Sequence, residues 1–282
     1  MRTAAFRSVH GVLWAGLGIA LGAAGPARAH FQVLYTAETA FDSGRAMHVM
    51  MLFTHPGHGG PSMDMGQPEG FYVVSQRGEE AAPVKTDLMQ YLEPVRWHAE
   101  QGQAQAYQAD LPRTLARSLG DYVFVLEPAP FYESGEDKYI QQFTKMLVNV
   151  SGVPGNWGAA LGLPAEILPL DKPYANWTGG VFRGVVVASG RPVPNAELEV
   201  EYLNYALDLE GHRFASEPEV QYPQGSFGTL SIKANDRGEF VIGLPRAGWW
   251  GICALAVGTD TEHDGKPLSQ DAVLWIQVKD MR

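Results

Sequence analysis

Along most of the chain, apolar and polar residues alternate in short runs that Gly, Pro, Asp and Asn interrupt. A period of two places successive side chains on opposite faces of a strand, so this pattern predicts many short strands and few helices. Segments 31–35 and 46–53, separated by the turn-forming Asp42-Ser43-Gly44, read as two strands. After a loop over 54–69 come further strands near 70–75, 91–98, 104–111 and 121–127, with one helical turn expected over 111–116. Residues 138–150 fit two periods. Tyr139, Phe143, Met146 and Leu147 form a helical stripe, whereas 146–150 is a strand-like run, and a turn of helix leading into a strand is the expectation.

Segment 151–179 is rich in Pro and Gly, carries Trp157 and Trp177, and reads as a connector. Beyond it 181–187, the turn 189–192, 196–202, 230–233, 240–244, 249–257 and 272–278 form a run of hairpins. The predicted fold is all-β: a sandwich over 30–155, a connector over 156–179, and a second, immunoglobulin-like or prealbumin-like sandwich over 180–282.

Composition sharpens this picture. The 32 Gly and 19 Pro favour frequent turns, and the formal charge of −10 leaves no basic excess to neutralise phosphates, which argues against a nucleic-acid partner. Residues 1–29 have the layout of a cleaved signal peptide: Arg2 and Arg7, an uncharged apolar run over 11–25, then Ala27-Arg28-Ala29. The apolar run is shorter than the ~20 residues that span a bilayer, and no later run is both long and charge-free. An exported product beginning at His30, with no transmembrane helix, is expected. The one cysteine, Cys253, sits in an apolar run and reads as a buried small hydrophobe.

Histidine is unevenly placed. His30, His48, His55 and His58 fall close together, and cleavage after Ala29 frees an α-amine on His30, so one residue can offer two nitrogens to a metal. An amine titrates near 7.7 and an imidazole near 6.5, and both must lose protons to bind, so affinity should fall at acid pH. If strand 31–35 lies beside strand 46–53, His30 shares a sheet end with the loop holding His55 and His58. The predicted metal ligands are His30, His55 and His58, a nitrogen set that suits nickel, cobalt, copper or zinc. Met63 and Met65 would add thioethers for copper(I), and Asp64 a carboxylate. His48 reads as a sheet histidine, Met47, Met50 and Met51 as core, and the acidic run 133–137 as a solvated turn. Gly-x-Ser-x-Gly, phosphate-loop, His-Glu-x-x-His and Cys-x-x-Cys patterns are absent, and nothing pairs a nucleophile with a base.

Six segments together carry a family resemblance: Ala29-His30-Phe31-Gln32, Thr54-His55-Pro56, Lys145 to Val150, Gly190-Arg191-Pro192-Val193-Pro194-Asn195-Ala196, Arg246-Ala247-Gly248-Trp249-Trp250-Gly251 and Asp271-Ala272-Val273-Leu274-Trp275. The chain resembles the periplasmic components of cobalt and nickel uptake systems, catalogued as a nickel-uptake substrate-specific domain of unknown function. The resemblance implies a periplasmic, non-catalytic accessory protein that binds nickel or cobalt and works with membrane subunits of an energy-coupling-factor (ABC-type) transporter. It carries over to His30 and His55; His58 rests on spacing alone. A periplasmic copper carrier is the alternative, and a copper histidine-brace oxidase a more distant one.

Overall fold

The computed structural model describes residues 30–77, 80–99 and 102–281; the predicted leader, 1–29, lies outside the described residues. Strands dominate. Among the described residues the helical pieces are two three-residue 3-10 turns, Met89–Tyr91 and Gly225–Phe227. The all-β expectation holds, and the strands form stacked sheets.

The architecture is three layers. A central sheet runs in the order Thr229–Lys233, Glu197–Tyr202, Gly248–Ala254, Lys266–Lys279, Lys138–Val150, Gly120–Glu127, Gly70–Gln76 and Val84–Asp87. One outer sheet contains Phe31–Tyr35, Met47–Thr54, Gly102–Leu111 and Leu92–Ala99, extended by the short strands Arg213–Phe214 and Leu207–Asp208. The other is built from Glu166–Pro169, Gly180–Ala188, Arg191–Pro192 and Glu239–Leu244. Phe31, Met50, Phe124, Met146, Cys253 and Trp275 belong to the core beneath the first outer sheet. Val125, Leu147, Phe182, Ile242, Ile252 and Leu274 belong to the core beneath the second. Neighbouring residues of the central strands thus enter opposite cores, as the pleat requires.

The two halves of the chain are not side by side as independent sandwiches. They share the central sheet through a parallel pairing of Lys138–Val150 with Lys266–Lys279, in register from Tyr139 opposite Leu268 to Met146 opposite Trp275. Segment 156–179 likewise does more than connect: Glu166–Pro169 pairs with Gly180–Ala188, and Asn176–Trp177 runs parallel to the end of Lys266–Lys279.

The helical turn expected at the start of 138–150 is replaced by strand throughout. The reason is burial on both faces, which removes the alternation that normally identifies a strand. Polar residues on it must then find partners inside. Lys145 Nζ reaches Glu166 Oε1 at 2.7 Å, and Asn149 Nδ2 reaches Asp121 Oδ1 at 2.7 Å. The segment after Leu111 closes as a turn with a hydrogen bond from Leu115 N–H to the Pro112 carbonyl. The expected loop 54–69 holds one short strand, Ser62–Met63, paired back onto Phe53 and Thr54. No helix among the described residues is long and apolar enough to cross a membrane. Cys253 is fully buried, as expected, and burial pushes its thiol up.

Lys145 and Glu166 tie the central sheet to the second outer sheet, and their side chains are 2% and 0% exposed. Burial pulls the Lys145 ammonium down, against the attraction of Glu166. Removing one partner strands a buried charge, so Glu166→Ala should cost about 3–5 kcal/mol of unfolding free energy. The double change Lys145→Met with Glu166→Leu should recover part of that loss, short of all because Glu166 also accepts the Leu161 and Gly162 N–H groups, measured by urea unfolding at neutral pH.

Candidate functional site

The site follows from strand register. Phe31–Tyr35 pairs antiparallel with Met47–Thr54, with Phe31 opposite Thr54, so the next residues outward on the two strands are His30 and His55. Their rings meet with centroids 4.5 Å apart, inclined at 50°. His55 is buried and His30 nearly so, its other ring neighbour being Phe53 at 5.6 Å.

His30 is held from two directions. The Gln142 side chain donates from Nε2 to the His30 carbonyl at 2.7 Å, and its Oε1 accepts the Gln32 N–H at 2.6 Å. Asp271 Oδ2 accepts from the same Gln142 Nε2 at 3.1 Å and so orients that amide. On the ring, Nε2 lies 3.1 Å from Glu133 Oε2. Burial lowers the His30 pKa, while Glu133 and Glu136 pull the other way. The neutral imidazole, the form that ligates metals, is therefore favoured.

His55 opens a tight turn in which its carbonyl accepts the N–H groups of His58 and Gly60 at 3.1 and 3.2 Å. Gly59 has φ +68°, a region that favours glycine, and a Cβ there would come 2.9 Å from the Tyr205 ring. The turn rests on the carboxy-terminal half. Gly57 N–H donates to Glu201 Oε2 at 2.9 Å, and Asn204 N–H donates to the Pro56 carbonyl at 3.1 Å. His58 lies against this surface: its ring centroid is 6.1 Å from that of Tyr222, and a Cβ on Gly228 would meet its Cε1 at 2.7 Å.

The predicted ligands are thus brought together in part. His30 and His55 touch, and the ring of His58 lies beside Tyr222 and Gly228. Among the described residues no group of three or more His, Cys, Asp or Glu side chains is arranged to hold a metal ion. The soft donors are engaged elsewhere: Met65 is buried and its Sδ accepts from Gln32 Nε2 at 3.4 Å, while Met63 packs against the core. Asp64 accepts the Gln105 N–H at 2.6 Å, and His48 contacts Asp110 at 2.8 Å. Met47, Met50 and Met51 are core residues, as expected.

Sequence reasoning missed Glu133, Gln142 and Glu201. Glu133 falls in a run read as a solvated turn, yet its side chain is only 19% exposed and faces His30. Gln142 and Glu201 occupy strands whose interior positions read as core, and only their buried polar character marked them out.

The chain matches, over residues 27–258, the family described as Domain of unknown function (DUF4198), and it belongs to that family. No curated protein is similar enough to match. Among solved structures, the D0-D1 domain of Intimin is similar at 11% identity, covering 87% of this chain and 97% of that one, with a TM-score of 0.21. The adhesin InvE of Yersinia pseudotuberculosis is similar at 11% identity over 86% of this chain and 58% of that one, TM-score 0.23. Trypsin-activated alpha-2-macroglobulin from Escherichia coli is similar at 10% identity over 89% of this chain and 16% of that one, TM-score 0.21. Likenesses of this size carry no argument about function.

Glu201 supplies a test of the turn's support. Its carboxyl is fully buried, and burial pushes its pKa from 4.5 up to about 7, against the lowering effect of the hydrogen bonds from Thr229 and Gly57; Glu199 adds to the rise. Tyr222, a titratable neighbour, is pushed up to about 12, by burial first and then by Glu201. An acid with a raised folded-state pKa binds its proton more tightly folded than unfolded, so stability falls as pH rises from about 4.5 to about 7 and levels above. Through this group the loss should approach about 3 kcal/mol. Glu201→Gln should flatten that slope in denaturation curves taken across the range, and an unchanged slope would refute the assignment.

Proposed function

We propose that this chain is an exported, periplasmic transition-metal-binding protein without catalytic activity, taking nickel or cobalt as cargo for a membrane uptake transporter. The observation that carries the reading is the contact between the His30 and His55 rings at the open end of the first strand pair. Removal of residues 1–29 would add the His30 α-amine to the two rings. Amine and imidazole nitrogens are borderline donors that suit nickel(II), cobalt(II) and copper(II). Nickel and cobalt are preferred because of the resemblance to uptake-system components. The burial of Met65 and its contact with Gln32 speak against a thioether-rich copper(I) site.

Copper(II) remains the competing cargo, because it outranks nickel and cobalt at most nitrogen sites. Peroxide production by a copper-loaded form with ascorbate would favour an oxidase over a carrier.

The test uses protein beginning at His30 and a version with one alanine added before His30, each titrated with nickel(II), cobalt(II) and copper(II). The added residue moves the amine away from the imidazole and should weaken binding by about tenfold or more. His55→Ala should weaken it comparably, whereas His212→Ala, at a residue hydrogen-bonded to Gln108 in another part of the fold, should leave it unchanged. Equal affinity of the two amino-terminal forms would refute the reading.

A further inference from the structure

We propose that Glu133 is a positioning residue that holds the His30 ring in its Nε2–H form and so leaves Nδ1 as the metal-binding nitrogen. The metal part of this assignment rests on the reading above. The ring-holding part stands by itself.

The argument begins with the hairpin. Phe131–Glu133 pairs antiparallel with Lys138–Val150, with Phe131 opposite Ile140 and Glu133 opposite Lys138. Phe131 packs edge-on to Phe53 at 5.1 Å, and Phe53 lies beside His30, so the hairpin is seated against the end of the first strand pair. Glu133 is fixed within it: Oε1 accepts the Gly135 N–H at 2.9 Å, which leaves Oε2 directed at His30 Nε2. A carboxylate is acceptor-only, so a neutral His30 satisfies the contact only by carrying its proton on Nε2.

The lone pair is then on Nδ1. In a histidine with a free α-amine, Nδ1 and the amine are the two nitrogens able to close a small chelate ring through Cα, Cβ and Cγ, whereas Nε2 points away from the backbone. The proton position set by Glu133 is therefore the one a chelate requires. Metal-ligating histidines commonly donate their other ring N–H to a carboxylate, which fixes the tautomer and strengthens the ligand. Gln142, braced by Asp271, holds the His30 carbonyl, so ring and main chain are both set before any ion arrives. Preorganisation of this kind reduces the ordering cost of binding.

The experiment uses 15N-histidine-labelled, metal-free protein beginning at His30, and reads the His30 tautomer from long-range proton–nitrogen correlation spectra. The Nε2–H form should predominate in the parent chain and in Glu133→Gln, whose single amide oxygen can serve His30 once the exposed Gly135 N–H turns to water. Glu133→Ala should show a mixture or the Nδ1–H form. A predominant Nδ1–H signal in the parent, or an identical spectrum in Glu133→Ala, would overturn the assignment. Nickel(II) and copper(II) titrations form the second arm. Glu133→Ala should bind about ten- to a hundredfold more weakly, with Glu133→Gln close to the parent. Equal loss in both variants would indicate a direct carboxylate–metal bond and overturn the positioning role. If the parent binds neither ion while its tautomer is as expected, the proposed function fails and the ring-holding role of Glu133 stands. Should Glu133→Ala not fold, the parent spectrum and the Glu133→Gln titration still decide.

Discussion

Two strands far apart in sequence, Lys138–Val150 and Lys266–Lys279, run parallel through the middle of the central sheet, and both outer layers pack on the faces they present. Such a pair has no solvent-facing side. Its apolar residues supply both cores, and each of its polar residues must be satisfied internally, because an unpaired buried donor or acceptor costs about 1–3 kcal/mol. The partners it finds connect the layers: Lys145 with Glu166 of the second outer sheet, Gln142 with Asp271 across the seam and with His30 beyond it, and Gln277 with Thr39. Polar contacts of this kind make the register of the seam specific where the apolar residues alone would tolerate a slip.

The candidate site grows out of this seam. Gln142 is a residue of the central strand, yet it fixes the main chain on either side of Phe31 through His30 and Gln32. The turn bearing His55 is held by Glu201 and Asn204 from the carboxy-terminal half, and the hairpin bearing Glu133 is a direct extension of Lys138–Val150. The rings of His30 and His55 are therefore located by elements from both halves of the chain. A site of this sort is more precise than one on a free loop, because each ring's surroundings are anchored in packed sheet.

Much of the strand content was legible in the sequence. Phe31–Tyr35, Met47–Thr54, Gly70–Gln76 and Gly102–Leu111 stand close to where alternation and turn residues place them. The pattern failed at Lys138–Val150, where burial on both faces erased the period. It also could not reveal that distant strands pair in parallel, since nothing local to 138–150 refers to 266–279. At the site, His30 and His55 were readable because antiparallel neighbours are set by register, and register follows from short-range signals. Glu133 was not, because a polar hairpin tip looks alike whether it faces water or a histidine. Spacing alone gave no sign that the His58 ring would lie beside Tyr222 and Gly228 of the carboxy-terminal half.

The position of Lys266–Lys279 has a consequence for the order in which the molecule can form. A chain emerging amino end first from a ribosome delivers the outer strands long before the one on which they must close. Until that last strand arrives, the hydrophobic faces of both partly assembled cores stay open, and folding dominated by such distant pairings is slow. Closure of both cores therefore waits on one seam.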